Sequence, residues 1–283
     1  MLGELLALLT AFMWAASTVL SAEALKRVNP IQTNTLKTFF SALIMLPIAF
    51  AAGEFNNLHY LNLIALLLII LGTIIDYGIG DTMLFKSIIL MGVSKAYTVA
   101  YTYPLFTMII AVLLIGEPFL MRYLIGTILT VLSIIMVSSE NNKTNGKVSL
   151  KGLIMALIAA LTWAIGTILV AIGLKSISTF LANAIRFLAL FLFLYLISKP
   201  KKRWRLTKKD LALLSASSIF GMVLGGITFL FSVQLIGASR ATPLCASSPV
   251  WASIISSVTL KERVTLRLFL SSVIVVIGAY FLF

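Results

Sequence analysis

The chain repeats itself. A slide of 149 residues lays Gly3 on Gly152, Trp14 on Trp163, Thr18 on Thr167, Lys26 on Lys175, Asn34 on Asn183 and Lys37 on Arg186. Further on, a slide of 145 lays Gly80 on Gly225, Ser87 on Ser232, Gly92 on Gly237, Ser94 on Ser239, Lys95 on Arg240, Pro104 on Pro249 and Glu117 on Glu262. Repetition at one long period restricts the fold more than any short motif, because both copies must build the same unit. Each copy holds five apolar runs, at about 3–22, 31–52, 61–90, 95–115 and 119–138, then at about 152–174, 178–197, 210–236, 240–260 and 264–283. Runs of roughly 20 apolar residues cross a bilayer as helices. Since five is odd, the second copy enters the membrane from the other side. The expected fold is therefore an all-α membrane protein with ten transmembrane helices in two inverted five-helix repeats. The expected units are a first repeat over 1–138, a cytoplasmic linker over 139–151 and a second repeat over 152–283.

Composition agrees with a bilayer setting: 60% of residues are hydrophobic and 11% charged, well above the roughly 45–50% apolar share of soluble domains. Cys245 is the single cysteine, so the chain has no internal disulfide framework. The net charge of +13 would suggest nucleic acid in a soluble protein. Here the cations sit mostly in short loops between spans, which makes them an orientation signal. The side reached after the first span collects Lys26, Arg27, Lys95, the three lysines from 143 to 151, the seven cations from Lys199 to Lys209, and Lys261, Arg263 and Arg267. Arg122, Lys175 and Arg240 fall on the other side. The positive-inside rule assigns the crowded side to the cytoplasm and both termini to the outside. The Asn142-Lys143-Thr144 sequon then faces the cytoplasm, away from glycosylation. Ala22 and Ala24 have the spacing of a signal-peptidase site. Glu4 stands at the start of the first span with no cation before it, and the span has a counterpart in mid-chain, so it is expected to stay in the protein.

Trp14 and Trp163 in the first span of each half, the GVSKA and GASRA turns that lead to Pro104 and Pro249, and Glu117 and Glu262 at the ends of those spans together resemble the EamA family of the drug/metabolite transporter superfamily. The resemblance runs over essentially the whole chain. It implies a plasma-membrane secondary transporter, an exporter of amino acids or other small polar metabolites. Relatives that exchange sugar-phosphates and nucleotide-sugars keep an anionic-metabolite exchanger open as an alternative. Family members are often drawn with cytoplasmic termini, and the charge distribution here indicates the reverse.

The polar residues within the spans are the candidate substrate-binding set: Trp14, Asn34, Lys37, Asp76, Tyr101, Trp163, Asn183, Arg186 and Ser247. Ionisable groups at membrane depth are functional by default, although Lys37 and Arg186 could also be snorkelling cations near helix ends. Asn34 and Asn183 precede the cations by three positions and share their face, where an amide can orient a cation or a ligand. Asp76 and Asp81 are the only carboxylates deep within a span. Five residues apart on a straight α-helix, they point about 140° from one another, so one helix face cannot present both. Depth pairs Asp81 with Lys37, leaving Asp76, with no cation at its level, as the candidate coupling residue for a substrate amine or a proton. Arg186 has no carboxylate at the equivalent place in its own half, since Asp81 slides onto Gly226 and Asp76 onto Gly221. It is therefore open to a substrate carboxylate or phosphate, which its planar fork can grip with two bonds.

Lys86, near a span end, reads as a snorkelling residue. Thr98, Tyr101 and Pro104, matched by Ser247, Ser248 and Pro249, read as a polar lining with a bend, because proline frees a backbone carbonyl. Glu117 and Glu262 read as caps on the helix that follows each. Lone His59 lies in a loop, and the chain has no H-E-x-x-H, no P-loop and no paired Cys/His set, so neither a metal, a cofactor nor ATP-driven transport is expected. The expected partners are a small-molecule substrate and the bilayer, without nucleic acid, for a monomer or weak homodimer. A membrane-embedded lipid-handling protein and a passive channel are the rival classes. A reporter fused after Phe283 is expected to behave as extracytoplasmic, and a cysteine replacing Thr144 to be shielded from impermeant thiol reagents in intact cells. Labelling in whole and permeabilised cells measures both.

Overall fold

The computed structural model describes residues 1–25, 27–56, 61–91, 93–140, 149–198, 206–259 and 266–283. Lys26, His59, Gly92, residues 141–148 with the 142–144 sequon, the cations from Lys199 to Arg205, and Lys261, Glu262 and Arg263 lie outside the described residues, as do the side chains of Ser94, Lys95 and Thr98.

Every regular element among the described residues is helical. In chain order they are α1 (Leu2–Leu25), α2 (Pro30–Ala51), α3 (Leu63–Met91), α4 (Val93–Ala100), α5 (Tyr103–Ile115), α6 (Met121–Glu140), α7 (Leu150–Gly173), α8 (Thr179–Ser198), α9 (Lys208–Ile236), α10 (Ala238–Cys245), α11 (Ser248–Thr259) and α12 (Leu266–Leu282). Among them α1, α2, α3, α7, α8 and α9 are long and apolar enough to cross a membrane, and Tyr103–Ile115, Met121–Met136 and Phe269–Leu282 are shorter apolar helices. The chain is thus a multi-pass membrane protein.

Local chemistry sets the helix starts. Asn29 accepts from the Gln32 N–H at 2.9 Å ahead of Pro30, and Asn62 accepts from the Ile64 N–H at 2.9 Å, each satisfying a donor that the first helical turn leaves orphaned. Thr207 and Asp210 form a reciprocal capping box at the start of α9. At the end of α5, Gly116 takes φ +69, a left-handed conformation that glycine enters without a Cβ clash.

The capping expectation for Glu117 needs correcting. Its two carboxylate oxygens accept the Ala238 N–H at 2.7 Å and the Ser239 N–H at 2.9 Å, so it caps α10, a helix of the other half of the chain, and not the α6 that follows it. The turn at Gly116 supplies the reason, because it reverses the chain and swings the side chain across to Gly237, which lies at φ +79.

Helix packing is reciprocal between the halves. The α1 helix packs on α9, and α7 packs on α3; α2 packs on α8, and α6 on α12; α1 also meets α10 and α11, while α7 meets α4 and α5. Where α3 crosses α7, backbone approaches backbone: a Cβ on Gly72 would stand 2.8 Å from the Gly166 carbonyl oxygen, and one on Gly166 would stand 2.6 Å from both the Gly72 oxygen and the Asp76 Cβ. Close approach through small residues replaces the hydrophobic drive that helices lack within lipid. Two helices also carry π turns, Ile74–Gly80 in α3 and Ile219–Leu224 in α9. The bends expected at the prolines are full interruptions, at Tyr101–Thr102 and at Ala246–Ser247.

Gly166→Ala is expected to force α3 and α7 apart and to destabilise the protein by about 1–3 kcal/mol, the usual cost of overpacking. The lowered melting temperature of the purified protein in detergent measures it.

Candidate transport cavity

A π turn widens the helix to an i→i+5 repeat. In α3 the Asp81 N–H donates to the Asp76 carbonyl five residues back, so the two residues sit about one turn apart and share a face. The divergence of about 140° expected for a straight α-helix is thereby cancelled. Asp76 and Asp81 both line one cavity of ≈ 330 Å³, together with Lys37 from α2, Trp14 from α1, Trp163 from α7 and Tyr101 from the α4–α5 break. The wall runs from Trp14 to Leu25 along α1 and from Asp76 to Ile88 along α3, so the cavity reaches from mid-bundle to the end where α1 and α3 both finish.

Aromatic rings line much of the same cavity. Tyr97 stacks on Tyr101 at 5.0 Å, and Trp163 meets Tyr101 and Tyr103 edge-on at 5.6 and 5.5 Å. Trp14 packs on Phe229 at 5.2 Å. The two tryptophans are held alike. Trp163 lies over Gly80, where a Cβ would come within 2.6 Å of its ring, and Trp14 lies over Gly225, where a Cβ would come within 2.9 Å. Each indole N–H then reaches a π turn or the residue just after it: Trp14 donates to the Gly221 carbonyl at 3.1 Å, and Trp163 donates to the Asp81 carboxylate at 3.1 Å.

Lys37 and Asp81 face the same space and feel each other's charge. The ion pair expected from their depth is not formed among the described residues, and the neighbour that hydrogen-bonds Asp81 is Trp163. The reason is local: the missing Cβ of Gly80 lets the indole lie against α3 beside the carboxylate.

Four of the expected site residues stand behind the cavity wall. Asn34 donates to the Tyr77 carbonyl at 2.7 Å, which satisfies an acceptor of the π turn. Asn183 donates to the Thr179 carbonyl at 3.0 Å within its own helix, and Ser247 donates to the Leu244 carbonyl at 2.6 Å. Arg186 is 1% exposed, with its guanidinium 4.6 Å from the Phe187 ring centroid and 5.7 Å from that of Tyr77. The depth argument gave Asp76 no cation, yet Arg186 of α8 lies within its electrostatic reach. Across-bundle proximity of this kind has no trace in spacing along one helix.

Sequence reasoning passed over Tyr77, Tyr97, Tyr103 and Gly166. The Tyr97–Tyr101 spacing of four could have marked one helix face, but Tyr103 joins the wall only through the break at Tyr101–Thr102. Ser17, Ser21 and Ser217 were also missed; they form a buried hydroxyl chain between α1 and α9, with contacts of 2.8 and 2.6 Å.

A helical membrane bundle whose internal cavity carries aromatic side chains, a lysine and two aspartates has the build of a solute carrier. The model of the EamA-like transporter family matches residues 1–139 and 150–283, and the chain belongs to that family. It is 27% identical over 269 residues to an uncharacterised transporter of Archaeoglobus fulgidus, covering 95% of this chain and 93% of that one. A second uncharacterised transporter, from Clostridium kluyveri, is 21% identical over 293 residues, with 98% and 91% covered. A solved crystal structure superposes with a TM-score of 0.83 at 16% identity, over 99% of this chain and 95% of that one, which shows a shared fold.

Asn34→Leu is expected to strand the Tyr77 carbonyl in a dry interior and to cost about 1–3 kcal/mol. Thermal unfolding in detergent reads the loss.

Proposed function

We propose that the protein is a secondary transporter that works by alternating access, with ten spans in two inverted five-span halves, and that it exports a small zwitterionic metabolite across the plasma membrane. The repeat is supported by three independent correspondences at the same offset. The π turns begin at Ile74 and Ile219 and the helix interruptions at Tyr101 and Ala246, each pair 145 apart. The glycines beneath the two tryptophans, Gly80 and Gly225, are again 145 apart. The exchange of helix contacts between halves has the same sense.

The observation that carries the substrate class is the unpaired arrangement of charge at the cavity. Lys37 and the two carboxylates Asp76 and Asp81 converge on one space, yet no ion pair closes among them. A ligand with an ammonium and a carboxylate supplies the missing partner at both poles, at the charge-assisted strength of such bonds. Trp14, Tyr101 and Trp163 would then pack its body. Two carboxylates against one cation on the wall disfavour the anionic-metabolite exchanger, and Arg186 stands behind that wall, where it would act on Asp76 and not on the ligand. With the cation-rich side taken as cytoplasm, a cavity that reaches the end of α1 is open to the cytoplasm and ready to load cargo for export. Asp76 borders the cavity and forms no ion pair among the described residues; it is the residue for a coupled proton.

A thermal-shift screen of amino acids and related amines on the purified protein tests the reading. A true ligand at 100 times its Kd adds about 2.7 kcal/mol of stability. Lys37→Gln and Asp81→Asn are each expected to lower its affinity at least about tenfold, as loss of a charge-assisted bond does, with Arg186→Lys close to the parent. If binding survives both cavity variants unchanged, the ligand lies elsewhere.

A further inference from the structure

The opposite end of the bundle is closed by α10, a helix that the reading above does not use. It is eight residues long and is bounded by two joints, Gly237 at φ +79 and the turn at Ala246–Ser247. Pro243 lies within it and removes one of its backbone donors. Ala238, Ala241 and Cys245 are 0% exposed, and the helix is wedged among α1, α5, α6 and α9. Its inner end sits behind the cavity: the Tyr103 hydroxyl, on a residue that lines the cavity, donates to the Thr242 carbonyl at 3.3 Å, and the Cys245 thiol reaches the Ala7 carbonyl at 3.4 Å. No residue of α10, and none of α1 before Trp14, lines the cavity.

The outer end of α10 is where charge collects. Glu117 accepts the Ala238 and Ser239 N–H groups. Arg240 pairs with Glu4 of α1, donates to the Leu282 carbonyl at 2.7 Å and lies 5.1 Å from the Tyr123 ring centroid. Glu4 and Glu117 belong to the first half of the chain, and α10 to the second, so any motion that parts the halves at this end must break both carboxylate contacts. Arg240 keeps 17% side-chain exposure, enough for water to replace its partner when the contact opens.

We propose that α10 is the gate at the end of the bundle opposite the cavity mouth, and that Glu117 and the Glu4–Arg240 pair are the latch that holds it shut. From the transporter reading this takes only that the cavity must open at both ends. The closed latch is the state described here, with the cavity reaching the other end.

Cys245, the single cysteine, is a native reporter on the gate. The rate at which a small maleimide labels it is measured on the full-length protein in lipid nanodiscs, for the parent, Glu117→Ala, Arg240→Gln and the double variant. Loss of a charge-assisted contact is expected to raise the labelling rate about tenfold or more in each single variant. The double variant should gain less than the product of the two, because both act on one helix. A cysteine at Ala184, buried between α2 and α8, placed in a Cys245→Ala background, should stay protected in the same latch variants. Unchanged Cys245 labelling overturns the proposal, and so does faster labelling at Ala184→Cys, since that reports general loosening. Labelling needs no substrate, so a negative result with ligand binding intact removes the gate and leaves the transporter reading standing.

Discussion

Everything in this bundle is arranged around one requirement, that no backbone polar group is left unsatisfied where water is scarce. A straight α-helix meets it alone. The two π turns and the two interruptions depart from that pattern, and other parts of the protein make good the difference. The Trp14 indole takes the Gly221 carbonyl and the Asn34 amide takes the Tyr77 carbonyl. Such bonds run between helices distant in sequence, so the same contacts that permit irregular backbone also fix how the helices sit. Irregular backbone within a membrane is tolerated where it lines a cavity, and both π turns contribute residues to this one.

The cavity follows from that irregularity. Widening α3 by one residue turns Asp76 onto the face of Asp81, and the glycines at 80 and 166 make room for an indole and for the Asp76 side chain. Positions 145 residues apart carry matching backbone features, the π turns at Ile74 and Ile219 among them, yet differ in use. Gly221 stands where the first half has Asp76, and there the tryptophan N–H binds a main-chain carbonyl; in the first half it binds the Asp81 carboxylate. One half therefore carries the acidic chemistry while its counterpart acts as scaffold. Arg186 shows the same divergence: its position matches Lys37, yet Lys37 faces the cavity and Arg186 is sealed between Phe187 and Tyr77.

Apolar runs and a long-period repeat are legible without coordinates, because helix length in lipid and helix capping depend on residues close in sequence. The helices over 2–25, 30–51 and 150–173 start and stop within a few residues of the runs that announce them. That Trp14, Lys37, Asp76, Tyr101 and Trp163 are polar or aromatic at membrane depth was equally visible. Which of the candidates meet was not. A periodicity of 3.6 residues assumes an unbroken helix, and the π turn breaks that assumption where Asp76 and Asp81 are compared. Glu117 was readable as a cap, but its target, 121 positions further on, is set by a glycine turn and by packing between halves. Composition and spacing thus establish a helical membrane protein and its stock of polar groups. The tertiary structure alone decides which of them share a cavity and which stay behind its wall, because interactions between helices depend on rotation about each axis, and one inserted residue changes that rotation.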